Sequence, residues 1–157
     1  MTAPVLIAYD GSKNADHAID VAGELLGGGP AELVHAWEPV TSAAVRSAVY
    51  AVAYDESREM LEREQAYAQE VAERGMERAC AAGFAVTGGA RQDRGPAWQT
   101  IVARADELAP RMIVMGTRGL TGVRSALAGS VSHMVAAHAA APVLTIPLPR
   151  DEGRVRP

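Results

Sequence analysis

Residues Arg111–Ser132 read R-M-I-V-M-G-T-R-G-L-T-G-V-R-S-A-L-A-G-S-V-S, and this stretch decides the fold. It opens with Met112–Met115, a short apolar run rich in strand-forming residues, and a glycine-rich segment then leads to a helical pattern at Ser130. The stretch therefore predicts a strand, a long loop and the start of a helix. A loop of this length inside a compact domain is typical of a functional segment.

Three glycines of this loop are spaced G-x2-G-x9-G, and a serine follows the last of them directly. They are Gly116, Gly119 and Gly129, followed by Ser130. Glycine lets the backbone approach a ligand closely, while a helix N-terminus offers unpaired N–H groups and the positive end of the helix dipole. The spacing predicts a cradle for phosphate groups. The alternative is a structural connection whose glycines serve turns and whose serine only caps the helix.

The composition suits one globular domain. The chain has 157 residues, of which 48% are hydrophobic, so we expect a single domain over residues 1–148. Residues 149–157 carry little apolar content, and we expect a disordered tail there. The formal net charge is −4 and the basic residues are scattered, which argues against nucleic acid or an anionic membrane as a partner.

Cysteine content and hydropathy bear on the compartment. Cys80 is the only cysteine, which excludes an internal disulfide and a metal site built from cysteines, and fits a reducing environment. No apolar run approaches the length of about 20 residues that a membrane-spanning helix needs. We therefore expect a cytoplasmic protein that does not enter the membrane.

Strand-like and helical patterns alternate along the chain. The expected strands are Val5–Tyr9, Glu32–Trp37, Phe84–Arg91, Met112–Met115 and Val143–Pro147. The expected helices end at Leu26, run from Asp55 to Gly83, follow Gly95-Pro96 through Leu108, and span Ser130–Ala139. Ser12 or Asn14 is the expected cap of the first helix, and Gly88-Gly89 is expected to interrupt the third strand. This alternation predicts an α/β fold with a parallel sheet and right-handed crossovers.

A strand order of 3-2-1-4-5 would bring two candidate ligand groups together. In such sheets, ligands bind at the carboxyl edge where the strand order reverses, here between strands one and four. Asp10 follows strand one and Gly116 follows strand four. Both would then border the same crevice. An Asp-Gly pair is also a favoured turn, so Asp10 has a structural alternative.

The chain closely resembles the universal stress protein family, specifically its ATP-binding branch. The matching stretches are V-L-I-A-Y-D-G-S (5–12), L-V-H-A-W-E-P (33–39), V-M-G-T-R-G-L-T-G (114–122) and A-G-S-V-S-H-M-V-A-A-H-A-A-A-P-V-L-T-I-P (128–147). The resemblance implies a Rossmann-like five-stranded parallel sheet of order 3-2-1-4-5 with helices on both faces. It also implies bound ATP and a homodimer. We expect Mg²⁺ to accompany ATP, because Mg²⁺ typically binds through substrate phosphates and few carboxylates. We expect the dimer to form through the edge strand Val143–Ile146.

Carried over residue by residue, the resemblance gives Asp10, Ala36, Gly116, Gly119, Gly129, Ser130, Val131 and Ser132 as nucleotide-binding residues. Ala8, Tyr9, Met115 and Arg118 complete the candidate set. Arg118 lies inside the loop, where it would pair with a phosphate or be a solvated arginine. Two positions depart from the family pattern: Arg111 stands where aspartate is frequent, and Ala36 is smaller than the usual aliphatic group beside adenine. For His35 we expect a hydrogen-bonded core role, and for Trp37 and Trp98 a packing role.

Binding is expected to dominate over catalysis. The only lysine is Lys13, far from Gly129, so no Walker motif is present, and no evident base would orient water. We therefore assign no catalytic residue and no metal-ligating side chain. The main hypothesis is an adenine-nucleotide-dependent stress-response or signalling dimer with an unidentified protein partner. The alternatives are a slow ATPase or phosphotransferase, and a nucleotide-free dimeric scaffold.

Overall fold

The computed structural model describes residues 2–39, 54–92, 95–117 and 131–149, with the backbone alone for 54–57. The expected connection over residues 40–53 and the expected disordered tail beyond residue 149 lie outside these ranges. The described elements are β1 (Val5–Ala8), α1 (Lys13–Leu26), β2 (Gly29–Trp37), α2 (Tyr54–Ala81), β3 (Phe84–Gln92), α3 (Ala97–Leu108), β4 (Met112–Gly116), α4 (Val131–His138) and β5 (Val143–Ile146).

The five strands form one parallel sheet of order β3-β2-β1-β4-β5, as the resemblance implied. Ile7 of β1 is in register with Leu33 of β2 on one side and with Val114 of β4 on the other. The carboxyl ends of β1 and β4 are therefore neighbours. The order reverses between them, so this edge is where a parallel α/β sheet offers a ligand crevice.

Two hydrophobic clusters cover the two faces of the sheet, which confirms the expected helices on both sides. One cluster joins α1 and α2 to the sheet through residues such as Ile19 and Val71. The other joins α3 and α4 to the opposite face through Ile101 and Val135. Apolar burial on both faces explains why the central strands read as continuous apolar runs.

The ends of the first helix refine the sequence interpretation. Ser12 is the N-cap, and its side-chain oxygen accepts the N–H of Ala15, so Asn14 as the alternative cap is wrong. Gly27 ends the helix with a positive φ of 67°, and its N–H donates to the Gly23 carbonyl. The next strand starts at Gly29, earlier than predicted, because a left-handed glycine turns the chain straight into the sheet.

The long helix and the strand after it differ in detail from expectation. The helix starts one residue before its predicted first residue and ends at Ala81, and its buried face includes Ala68, Val71, Ala72 and Ala79. The predicted interruption of β3 is wrong, since the strand continues to Gln92. Gly88 lies inside β3 with a φ of 118°, and a Cβ there would sit 2.0 Å from the Leu33 carbonyl oxygen. Glycine thus permits close contact between strands, and it does not break the ladder.

The remaining boundaries shift by one or two residues. β1 ends at Ala8, β4 reaches Gly116, and β5 ends at Ile146. Pro96 is the N-cap of α3, and α4 ends at His138, one residue before the predicted end. Among the described residues, no helix is both long enough and apolar enough to cross a membrane.

Candidate functional site

Asp10 leaves β1 at the carboxyl edge of the sheet and starts the turn into α1. Its Oδ1 accepts the N–H of Ser12 over 3.0 Å, so the turn role foreseen as an alternative is present. A carboxylate has two oxygens and about four acceptor positions. One turn bond therefore leaves acceptor capacity at the crevice.

Gly116 ends β4 against the first turn of α1. A Cβ on Gly116 would lie 2.8 Å from Cγ of Asn14, which is closer than side chains tolerate. The Asn14 side chain is 2% exposed, and its Nδ2 donates to the Ile146 carbonyl over 2.9 Å. Glycine at position 116 thus has a packing reason that holds with or without a ligand.

The first turn of α4 lies beside the residue that follows β4. Ser132 Oγ donates to the Thr117 carbonyl over 3.5 Å, and Thr117 N–H in turn donates to the Ile146 carbonyl over 3.2 Å. Val131, the first residue of α4, is 39% exposed. The start of α4 and the end of β4 therefore lie side by side at this edge. Four other candidates lie outside the described residues: Arg118, Gly119, Gly129 and Ser130.

An apolar surface borders the same edge on the α3 and α4 face. Ala8 and Met115 are buried in that cluster, and Ala36 packs partly buried against it. The structure thus brings three predicted site residues from three adjacent strands together. Arg111, the other departure from the family pattern, lies at the opposite end of β4, where its Nη2 donates to the Gly28 carbonyl over 3.3 Å.

The Tyr9 side chain is on the other face of the sheet and does not join this group. Its hydroxyl donates to Asp16 Oδ1 over 2.7 Å, and a Cβ on Gly75 would lie 2.6 Å from its Cδ1. Burial, followed by the hydrogen bond to Asp16, raises the pKa of the Tyr9 hydroxyl. Successive residues of an extended chain point to opposite faces, so Ala8 and Tyr9 cannot present side chains to the same crevice.

His35 is a buried, hydrogen-bonded histidine, as predicted. Its ring is 9% exposed, and Nδ1 lies 2.8 Å from the Tyr9 carbonyl oxygen. Because a carbonyl only accepts, Nδ1 must carry the hydrogen. Burial lowers the pKa of His35, the hydrogen bond and the Asp10 charge raise it, and Arg74 lowers it. Burial is the largest of these effects, so the neutral imidazole is favoured.

Asn14 and Thr117 are site residues that the sequence interpretation missed in these roles. The sequence predicts only a possible cap role for Asn14 and no separate role for Thr117. Thr117 Oγ1 lies 3.5 Å from Asn14 Oδ1, within reach of a long hydrogen bond. A buried asparagine pairs with groups far away in sequence, and no local pattern indicates that pairing.

Two open grooves of the described residues lie elsewhere, along β3 and α2. Gln69 and Ala90 line both. The charged groups there are paired, because Glu32 contacts Arg104 at 2.5 Å and Arg91 at 3.9 Å. Within the described ranges, no group of three or more His, Cys, Asp or Glu residues could hold a metal ion. The carboxyl edge at β1 and β4 is therefore the better candidate site.

Sequence comparison gives a match over nearly the whole chain. The model of the Universal stress protein family matches residues 1–147. A curated relative from Thermus aquaticus, described as a universal stress protein in the QAH/OAS sulfhydrylase 3' region, is 34% identical over 155 residues. That alignment covers 93% of this chain and 99% of the relative.

Solved structures share the fold at lower sequence identity. The hypothetical protein MJ0577 superposes with a TM-score of 0.75 at 22% identity, covering 96% of this chain and 99% of its own. A universal stress protein in complex with cAMP has a TM-score of 0.63 at 22% identity, covering 93% and 97%. An Arabidopsis thaliana family protein with AMP bound has a TM-score of 0.58 at 18% identity, covering 97% and 96%. With the match to the family model, these likenesses lead to one conclusion: the chain belongs to the universal stress protein family.

Proposed function

We propose that this universal stress protein binds an adenine nucleotide at the carboxyl edge between β1 and β4. The observation that carries the proposal is a convergence. Asp10 follows β1, the Gly116–Thr117 step ends the neighbouring β4, and the start of α4 lies beside Thr117, all at the edge where the strand order reverses. Ligands of open α/β sheets bind at this kind of position. The nucleotide state would then alter contact with a protein partner.

The side chains at this edge suit the parts of an adenine nucleotide. Ala36 and Met115 offer an apolar surface for the base. Asp10 offers carboxylate oxygens to ribose hydroxyls, which are hydrogen-bond donors. The backbone N–H groups of the N-terminal turn of α4 offer donors to phosphate oxygens, and the Ser132 hydroxyl can rotate away from its long bond to Thr117 to join them. Because the Ala36 side chain is small, space remains beside the base. That space affects which purine base the site prefers.

The structural neighbours support the adenine part of the proposal. Three of them are complexes with cAMP, dAMP and AMP. ATP as the ligand of this chain rests on the G-x2-G-x9-G-S spacing in its sequence. A bound Mg²⁺ would be held mainly by the phosphates, since Mg²⁺ usually needs only one or two protein carboxylates.

The proposal also includes assembly and location. We propose one domain over residues 1–148 and a homodimer through β5, which is an edge strand in the described sheet. A cytoplasmic location fits the single cysteine. We propose binding rather than efficient hydrolysis because the chain's only lysine, Lys13, opens α1 and belongs to no Walker motif.

Calorimetry with ATP, ADP and AMP in the presence of Mg²⁺ tests the proposal directly. The parent should bind at least one of the three, and Asp10→Ala should weaken binding by about 1.5 to 3 kcal/mol, the usual value of hydrogen bonds to a charged group. Asp106→Ala, which removes an exposed carboxylate from α3, is the matched control and should bind like the parent. No binding of any of the three nucleotides at millimolar concentration would contradict the proposal.

A further inference from the structure

The residue before Asp10 is held from three directions. Tyr9 N–H donates to the Val34 carbonyl over 3.0 Å. Its hydroxyl donates to Asp16, and its carbonyl oxygen accepts Nδ1–H of His35 over 2.8 Å. Two of these bonds come from β2 and one from α1. The end of β1 is therefore fixed in position and in orientation where the chain enters the crevice.

The bond from His35 differs from the rest of the pairing between β1 and β2. The ladder register ends at Ala8 and Val34. The next carbonyl, that of Tyr9, accepts an imidazole N–H from a side chain of β2. Asp10 follows Tyr9 and Ala36 follows His35, so this one bond joins the chain neighbours of two candidate ligand residues. Its burial removes competition from water and strengthens it.

We infer that His35 is a positioning residue, whose Nδ1–H orients the Tyr9–Asp10 peptide and thereby aims the Asp10 carboxylate at the nucleotide. The inference rests on the proposed function. The Tyr9 carbonyl and the Asp10 N–H belong to one planar peptide unit, so a bond to the oxygen fixes the plane from which Asp10 continues. On the far side of Asp10, the Ser12 N–H holds Oδ1. The Asp10 carboxylate is thus held on one side by the oriented Tyr9–Asp10 peptide and on the other by the Ser12 N–H.

Two substitutions of His35 separate donation from bulk. Asn Nδ2 and His Nδ1 are both bonded to Cγ, so His35→Asn keeps a donor at the same distance along the side chain. His35→Leu fills a similar space without a donor and leaves the buried Tyr9 carbonyl without this partner. We expect His35→Leu to lose about tenfold or more in AMP and ATP affinity, because a misdirected Asp10 carboxylate loses its hydrogen bond to the nucleotide. His35→Asn should stay within about threefold of the parent.

A double-mutant cycle tests whether the effect passes through Asp10. In an Asp10→Ala background, His35→Leu should change affinity by less than about twofold, because the group that it positions is gone. An undiminished loss in that background overturns the inference. So does equal loss in His35→Asn and His35→Leu, and so does parental affinity in His35→Leu.

Nitrogen NMR of the parent protein gives an independent reading that does not depend on a variant folding. The inference requires Nδ1 of His35 to be protonated both before and after AMP is added. A bare Nδ1 in the AMP-bound protein overturns it. If the parent binds no adenine nucleotide, the proposed function fails and this role with it. If the parent binds and His35→Leu binds equally well, only the role of His35 fails.

Discussion

The side-chain amide of Asn14 donates to the main-chain carbonyl of Ile146 over 2.9 Å, although the two residues are 132 positions apart. The same carbonyl accepts the N–H of Thr117 over 3.2 Å. One oxygen at the end of β5 therefore joins the first turn of α1 to the residue after β4. Because Asn14 is 2% exposed, it forms part of the buried floor beneath the carboxyl edge.

Replacing Asn14 by alanine should destabilise the protein by about 1 to 3 kcal/mol, since the Ile146 carbonyl loses a buried donor and the side-chain volume is left empty. Urea denaturation measures this change. Lys13→Ala is the matched control, because Lys13 is exposed on the same helical turn. Its effect should stay within about 0.5 kcal/mol. Equal midpoints for Asn14→Ala and the parent would show that the link contributes nothing.

Adding a methyl group at Gly116 should disturb the same floor. Its Cβ would meet Asn14 at 2.8 Å, and both partners are tied down. We expect Gly116→Ala to cost about 1 to 3 kcal/mol of stability through overpacking and to weaken nucleotide binding by shifting Thr117. Thermal denaturation and calorimetry give the two quantities.

Gly95→Ala is the matched control for that substitution. A Cβ on Gly95 would lie 2.7 Å from Oε1 of Gln99, the far end of a flexible side chain that can rotate away. The control should be nearly neutral in stability and in binding. If both variants behave alike, close packing at Gly116 is not what makes glycine necessary there.

His35 should make stability depend on pH. Burial lowers its folded pKa below the ordinary value of 6.5, while Asp10 and Arg74 act in opposite directions. The unfolded chain then binds more protons, so the contribution of a neutral His35 is complete above about pH 6.5 and is lost as the pH falls through the folded pKa. Because asparagine does not titrate, the stability advantage of the parent over His35→Asn should shrink between about pH 8 and about pH 5.

Denaturation at the two pH values measures that advantage. His35→Leu also lacks a titrating group and should show the same trend from a lower starting stability. A difference between the parent and His35→Asn that is independent of pH would mean that the buried imidazole is not held neutral.

The proposed dimer can be tested at one backbone N–H of β5. Ile113 donates to Pro142 and Thr117 donates to Ile146, so even-numbered residues of this strand direct their backbone groups toward β4. The N–H of Leu144 therefore points toward β4. Replacing Leu144 by proline would remove that N–H and break the pairing of β5 with β4 as well as any dimer contact. Thr145 directs its N–H away from β4, and Thr145→Pro should convert the dimer to a monomer while the fold survives.

Thr145→Ala keeps that N–H and should remain dimeric by light scattering. A parent that is monomeric at tens of micromolar would refute the dimer. A dimeric Thr145→Pro would place the interface on another surface.

Much of the fold could be predicted because its signals are local. Apolar runs and helical spacing follow from residues a few positions apart, and they located every described strand and helix to within a few residues. The strand order is a different matter. It came from the resemblance to a family, and the register between β1 and β4 confirms it. The spacing of the loop glycines and the position of Asp10 after a strand can also be predicted from the sequence alone.

Side-chain contacts between residues distant in the chain follow only from the tertiary structure. The sequence predicts only that Glu32 starts a strand, yet Glu32 is 8% exposed because Arg104 of α3 neutralises it. Tyr9 directly precedes Asp10 in the chain, yet the Tyr9 side chain lies on the face of the sheet that α1 covers. Asn14 is a possible cap by its position, yet its side chain donates to the Ile146 carbonyl across the fold. The free energy of each such contact depends on packing between segments distant in the chain, and local sequence does not encode which segments meet.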